Sequence, residues 1–130
     1  MTGNPTAGDQ TERVEQAARA RLQEQLQELA WVEARRRMGL GDRPPYAPGD
    51  GSPEQQRASW LAMLAACELL REELKDWATV AAHAAARVGA DYGDLGDAVS
   101  ITRQAARKRW PGLADTAKAA RGRENAEPNP

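Results

Sequence analysis

Residues 91–110, DYGDLGDAVSITRQAARKRW, decide how this chain folds: they read as two short helices joined by a tight turn. Gly89 suits the end of a preceding helix, and Asp91 can cap the next by accepting from an orphan backbone N–H. Asp94, in the first turn, complements the helix dipole. Ser100, Ile101 and Thr102 form the turn, Thr102 caps a second helix over Arg103 to Trp110, and Pro111-Gly112 closes it. Gly96, Ala105 and Ala106 are small enough to let two helices cross, while Leu95, Val99, Ile101 and Trp110 are expected to point inward.

Upstream, two long helix-compatible runs flank a breaker-rich segment. Over residues 9–38, Val14, Ala18, Leu22, Leu26, Leu29 and Val32 recur in steps of three or four, giving one apolar stripe opposite a Glu, Gln and Arg face. Gly39 suits a helix stop, and residues 39–53 hold prolines at 44, 45, 48 and 53 that forbid continued helix, so this segment reads as a linker. Ser52 and Pro53 then form a start signal, a capping hydroxyl before a proline that fits the first helical position. From there the stripe is Trp60, Leu64, Cys67, Leu70, Leu74, Trp77, Ala81, Ala84 and Val88. An unbroken helix this long exceeds what a small globule covers, so a break near Lys75 and Asp76, or a partner chain, is expected. The stripes suit an intramolecular core and a homodimer equally well, since periodicity does not identify the partner.

Composition agrees with an all-α class: no Phe, few aromatics and abundant Ala, Arg, Glu, Gln and Leu. The expected architecture is a long helical hairpin or coiled-coil-like N-terminal region followed by a helix-turn-helix, with residues 54–121 as the helical functional region and 91–110 as its centre. Residues 1–8 and 122–130, rich in Gly, Pro, Asn and charge without periodicity, read as disordered tails. The formal charge of −1 hides an asymmetry: residues 100–123 hold seven basic side chains against one acid, Asp115. No segment approaches the roughly 20 apolar residues of a bilayer span, and the start of the chain lacks a basic, then apolar leader. With a single cysteine, Cys67, the simplest expectation is a reducing, cytoplasmic setting.

The segment DYGDLGDAVSITRQAARKRW also resembles small actinobacterial helix-turn-helix DNA-binding proteins, in which an aromatic-led helix leads to a turn and then a Ser/Thr, Arg, Gln, Ala series. The resemblance spans about residues 75–112. It implies that Tyr92 to Val99 is a supporting helix and Thr102 to Trp110 a recognition helix. Ser100 stands where such turns often carry glycine, at a cost of roughly 1 kcal/mol if a positive φ is kept. A major groove accepts one helix with its N-terminal side chains aimed at base edges. Thr102, Arg103, Gln104 and Arg107 are therefore the expected base-reading residues: arginine can donate twice to guanine, and glutamine can pair with adenine. Lys108, Arg109, Lys118 and Arg121 are expected to grip phosphates.

The expectation is a nucleoid-associated transcriptional regulator that binds double-stranded DNA, with a helical interaction adaptor or a sequence-indifferent nucleoid or plasmid-maintenance protein as alternatives. Nothing in the pattern points to an enzyme, a cofactor or a metal. His83 lies among alanines without a catalytic neighbour, Cys67 reads as a small buried hydrophobe, and Glu68, Glu72, Glu73 and Asp76 alternate with Arg71 and Lys75 as helix-surface pairs. Trp31, Trp60 and Trp77 read as core or interface anchors.

Overall fold

The computed structural model describes residues 3, 6–41 and 51–126. It is all-helical: α1 (Ala7–Met38), α2 (Pro53–Arg87), α3 (Tyr92–Val99), α4 (Arg103–Arg109) and α5 (Ala114–Ala126), with no strand among the described residues. Most of the expected linker, residues 42–50, lies outside them, as do residues 1–2, 4–5 and 127–130 of the expected tails. The tail boundaries need correction: Ala7 and Gly8 already belong to α1, and residues 122–126 continue α5.

The caps explain these limits. Thr6 accepts from the Asp9 N–H at 3.3 Å at the start of α1, and Gly39 ends it in the left-handed region at φ 69°. Ser52 and Gln55 form a reciprocal pair at the start of α2: the Gln55 N–H donates to Ser52 Oγ at 3.1 Å, and the Ser52 N–H donates to Gln55 Oε1 at 2.8 Å. No break interrupts α2 at Lys75 or Asp76. None is needed locally, because that stretch contains neither Pro nor Gly.

The chain divides into two compact units, residues 1–71 and 72–130. In the first, α1 meets the early part of α2 through Ala30, Ala34 and Ala66, with Trp31, Ala62, Met63 and Leu70 packed around them. The rings of Trp31 and Trp60 lie 5.6 Å apart in a tilted arrangement. Alanines let the helices approach closely, and the expected stripe of Val14, Leu22, Leu26, Leu29 and Val32 faces solvent instead. Cys67 is exposed as well, with its sulfur 3.9 Å from that of Met63, which overturns its reading as a buried hydrophobe.

The second unit holds a denser core of Ala82 and Ala86 from α2, Tyr92 and Leu95 from α3, Ala106 from α4, and Trp110 and Leu113 beyond it. Gly89, at φ 98°, turns the chain out of α2, and the Ala90 N–H donates back to the Ala85 carbonyl at 3.0 Å. Asp91 and Asp94 then form a complete capping box on α3. Val99, expected inside, is exposed; Leu95 and Trp110 are buried and Ile101 partly so.

The junction of α3 and α4 rests on one close approach. A Cβ at Gly96 would meet the Ile101 carbonyl oxygen at 2.6 Å, too near for any side chain. Ser100 carries the sharp reversal at φ 59°, the one described non-glycine residue with positive φ, and the Ile101 N–H returns to the Gly96 carbonyl at 2.9 Å. Thr102 caps α4 by accepting from the Ala105 N–H at 3.0 Å. Gly96→Ala is expected to destabilise the protein by about 1–3 kcal/mol through this clash. Ser100→Gly, which removes the left-handed penalty, is expected to stabilise it by up to about 1 kcal/mol. Urea unfolding midpoints compared with the parent chain check both signs.

Candidate nucleic-acid interface

The cap at Thr102 and the burial of Ala106 and Trp110 fix how α4 is rotated. With those two turned inward, Thr102, Arg103, Gln104, Arg107, Lys108 and Arg109 are all exposed. No acid lies in the first turn of α4, and its last turn holds Arg107, Lys108 and Arg109. The four side chains of Arg103, Gln104, Arg107 and Lys108 border one surface hollow of about 470 Å³.

A second cleft, of about 480 Å³, opens on the other side of Arg103 and Arg107. Lys118 and Arg121 of α5 help to line it, together with Asp91 and Tyr92. Arg103 and Arg107, one helical turn apart, therefore stand between the two hollows. The Arg107 guanidinium sits 5.3 Å from the centre of the Tyr92 ring, where the ring face attracts it and orients the side chain. Arg109 is placed similarly over Trp110, at 4.8 Å. Arg103 folds toward the start of α3, and a Cβ at Gly93 would come within 3.0 Å of its terminal nitrogen.

Arg121 occupies a different environment from Lys118. Its Nε donates to the Gly89 carbonyl at 2.5 Å and its Nη2 to Asp94 Oδ2 at 2.8 Å, while Nη1 lies 3.5 Å from Asp91 Oδ2. It thus ties α5 to the turn before α3. Its aliphatic stem also lies 3.1 Å from the position a Gly89 Cβ would take. Lys118 lines the same cleft, with no ion-pair partner among the described residues.

Four of the expected positions, Arg103, Gln104, Arg107 and Lys108, are gathered on one surface, with Thr102 at its edge as a cap; Arg109 turns over Trp110, and Arg121 is committed to two acids. Gly93, Asp94 and the Tyr92 hydroxyl support this surface and were not singled out for it. Gly93 left a trace in the sequence as a poor helix former within a helix. Among the described residues, no three His, Cys, Asp or Glu side chains come together as a metal set, and no helix is long and apolar enough to cross a membrane.

No protein family, curated protein or solved structure matches this chain.

The Asp94 backbone N–H, with the positive charges of Arg121 and Arg103, holds the Asp91 carboxyl below the usual carboxylate range against an opposing effect of desolvation. The folded protein therefore keeps Asp91 ionised where the unfolded chain would protonate it. Its stabilising contribution is complete above the unfolded pKa and is lost as pH falls through the lower, folded one. Asp91→Asn is expected to be less stable at neutral pH and to show a shallower acid limb below about pH 4. Urea unfolding across an acid pH series reads the difference.

Proposed function

We propose that α3 and α4 form a helix-turn-helix unit that docks α4 in the major groove of double-stranded DNA, and that the protein is a nucleoid-associated transcriptional regulator. The observation that supports this most is the acid-free, exposed surface of α4, where Arg103, Gln104, Arg107 and Lys108 share one hollow. A phosphate-lined duplex attracts such a surface whatever its sequence, while arginine and glutamine add hydrogen bonds that differ between base pairs.

In this reading Thr102, Arg103, Gln104 and Arg107 face base edges. Lys108, Arg109 and Lys118 contact phosphates. Arg121 acts first through position, since its guanidinium anchors α5 beside α3. Lys118 extends the cationic surface from α4 to α5 across the second cleft. The same reading takes the chain to be a homodimer joined through its long helices, so that two copies of α4 meet two half-sites.

Selection of bound duplexes from a random library, followed by titration at several salt concentrations, tests the proposal. Arg103→Ala and Gln104→Ala are each expected to relax preference at one position of the selected site, at about 1–3 kcal/mol per lost bidentate contact. Lys118→Ala is expected to weaken all duplexes alike and lower the salt slope by about 0.9. Absence of salt-sensitive duplex binding by the parent chain would overturn the reading.

A further inference from the structure

In the second unit, α2 buries Ala82 and Ala86 on one side and leaves the other side uncovered. Away from those contacts Trp77 is 68 % and Val80 52 % exposed; Leu74, 58 % exposed, lies on the flank nearer Ala85, and Val88, 81 % exposed, just past the end of the helix. Leu74, Trp77, Ala81, Ala84 and Val88 follow one another in steps of three, four, three and four, the spacing of a coiled-coil seam. Val80 borders that seam on the same edge as Glu73 and Arg87, at seven-residue intervals. The polar Glu72, Lys75, Asp76, Thr79 and His83 fall outside this edge. An indole and three aliphatic side chains aligned in this way form an apolar strip suited to a matching surface.

We infer that this strip pairs with the same strip of a second copy, antiparallel, about a two-fold axis level with Thr79 and passing beside Val80. The register follows from size and charge. Antiparallel pairing centred there sets Trp77 against Ala81 of the partner subunit and Leu74 against Ala84 of the partner subunit, so each large side chain meets a small one. It also brings Glu73 to within about 3 Å, two residues' rise along the helix, of the level of Arg87 of the partner subunit, twice by symmetry. Both are exposed, and neither has an ion-pair partner among the described residues. Parallel pairing would instead stack Trp77 on its own copy, leave the alanine layers thin, and place Glu73 opposite an alanine. The inference gives the homodimer of the DNA-binding reading a defined interface, yet it is tested without DNA, so each can fail alone.

Sedimentation equilibrium on the full chain is expected to show a dimer at micromolar concentration. Trp77→Ala should shift it to monomer with unchanged helical circular dichroism, because the indole lies outside the core. Glu73→Arg and Arg87→Glu should each weaken dimerisation about five- to tenfold, and the double exchange should restore it. In a Cys67→Ser background, Val80→Cys should oxidise to a cross-linked dimer, since the axis brings its two copies together. A chain that stays monomeric at hundreds of micromolar, or a dimer in which the double exchange fails to restore affinity and Val80→Cys fails to cross-link, overturns the inference.

Discussion

The hydroxyl of Tyr92 is the point on which the second unit depends. It donates to the Trp110 carbonyl at 2.7 Å and accepts from the Leu113 N–H at 3.0 Å, both in buried surroundings. One side chain at the start of α3 thus satisfies two backbone groups exposed by the end of α4 and the turn into α5. A buried carbonyl or N–H left without a partner costs about 1–3 kcal/mol, so a tyrosine here does work that phenylalanine could not. The ring that holds this corner also carries Arg107 on its outer face. Core packing and the orientation of a surface cation are therefore set by the same residue.

From that corner the other constraints follow in order. With Tyr92 and Trp110 fixed, α3 and α4 are drawn together until only glycine fits at position 96. The reversal between them must then be made within three residues, which forces Ser100 into the left-handed region. Arg121 closes the third side, reaching from α5 to Gly89 and to the capping acids of α3. The capping box and this arginine share Asp94 Oδ2, so the start of α3 and the face of α5 are coupled through one carboxylate, and the arginine's Nε joins the turn after α2 to them.

What could be read from the sequence was what is local. Asp91, Thr102, Ser52 and Gly39 mark helix ends by hydrogen bonds or dihedral angles formed within a few residues, and Ser100 announced its own strain. The face on which a long helix packs is a different kind of information. Leu22, Leu26, Leu64 and Trp77 made the stronger periodic signal, but Ala30, Ala34, Ala66, Ala82 and Ala86 form the contacts, because helices approach more closely over methyl groups. Arg121 escaped its structural role for a related reason: its partners lie 27 to 32 residues away, beyond any spacing rule. Lys118, on the same helix, has neither the guanidinium fork nor these neighbours.

This division between packed alanines and exposed large residues bears on how stability is distributed. The alanine contacts bury little apolar area per residue, so neither long helix gains much from its own chain at the rate of about 25 cal/mol per Å². Helix propensity in Ala, Glu, Gln and Arg-rich sequence supports α1 and α2 locally, by fractions of a kcal/mol at each position. The second unit has Tyr92, Leu95, Trp110 and Leu113 in a shared core and is thereby the better consolidated of the two. The large side chains of Leu22, Leu26, Leu64, Leu74 and Trp77 stay in water and add little to the stability of the single chain. In the second unit the exposed edge of α2 around Trp77 and Val80 is turned away from the Ala82 and Ala86 contacts that shape α4, so changes on that edge leave the core that holds α4 intact.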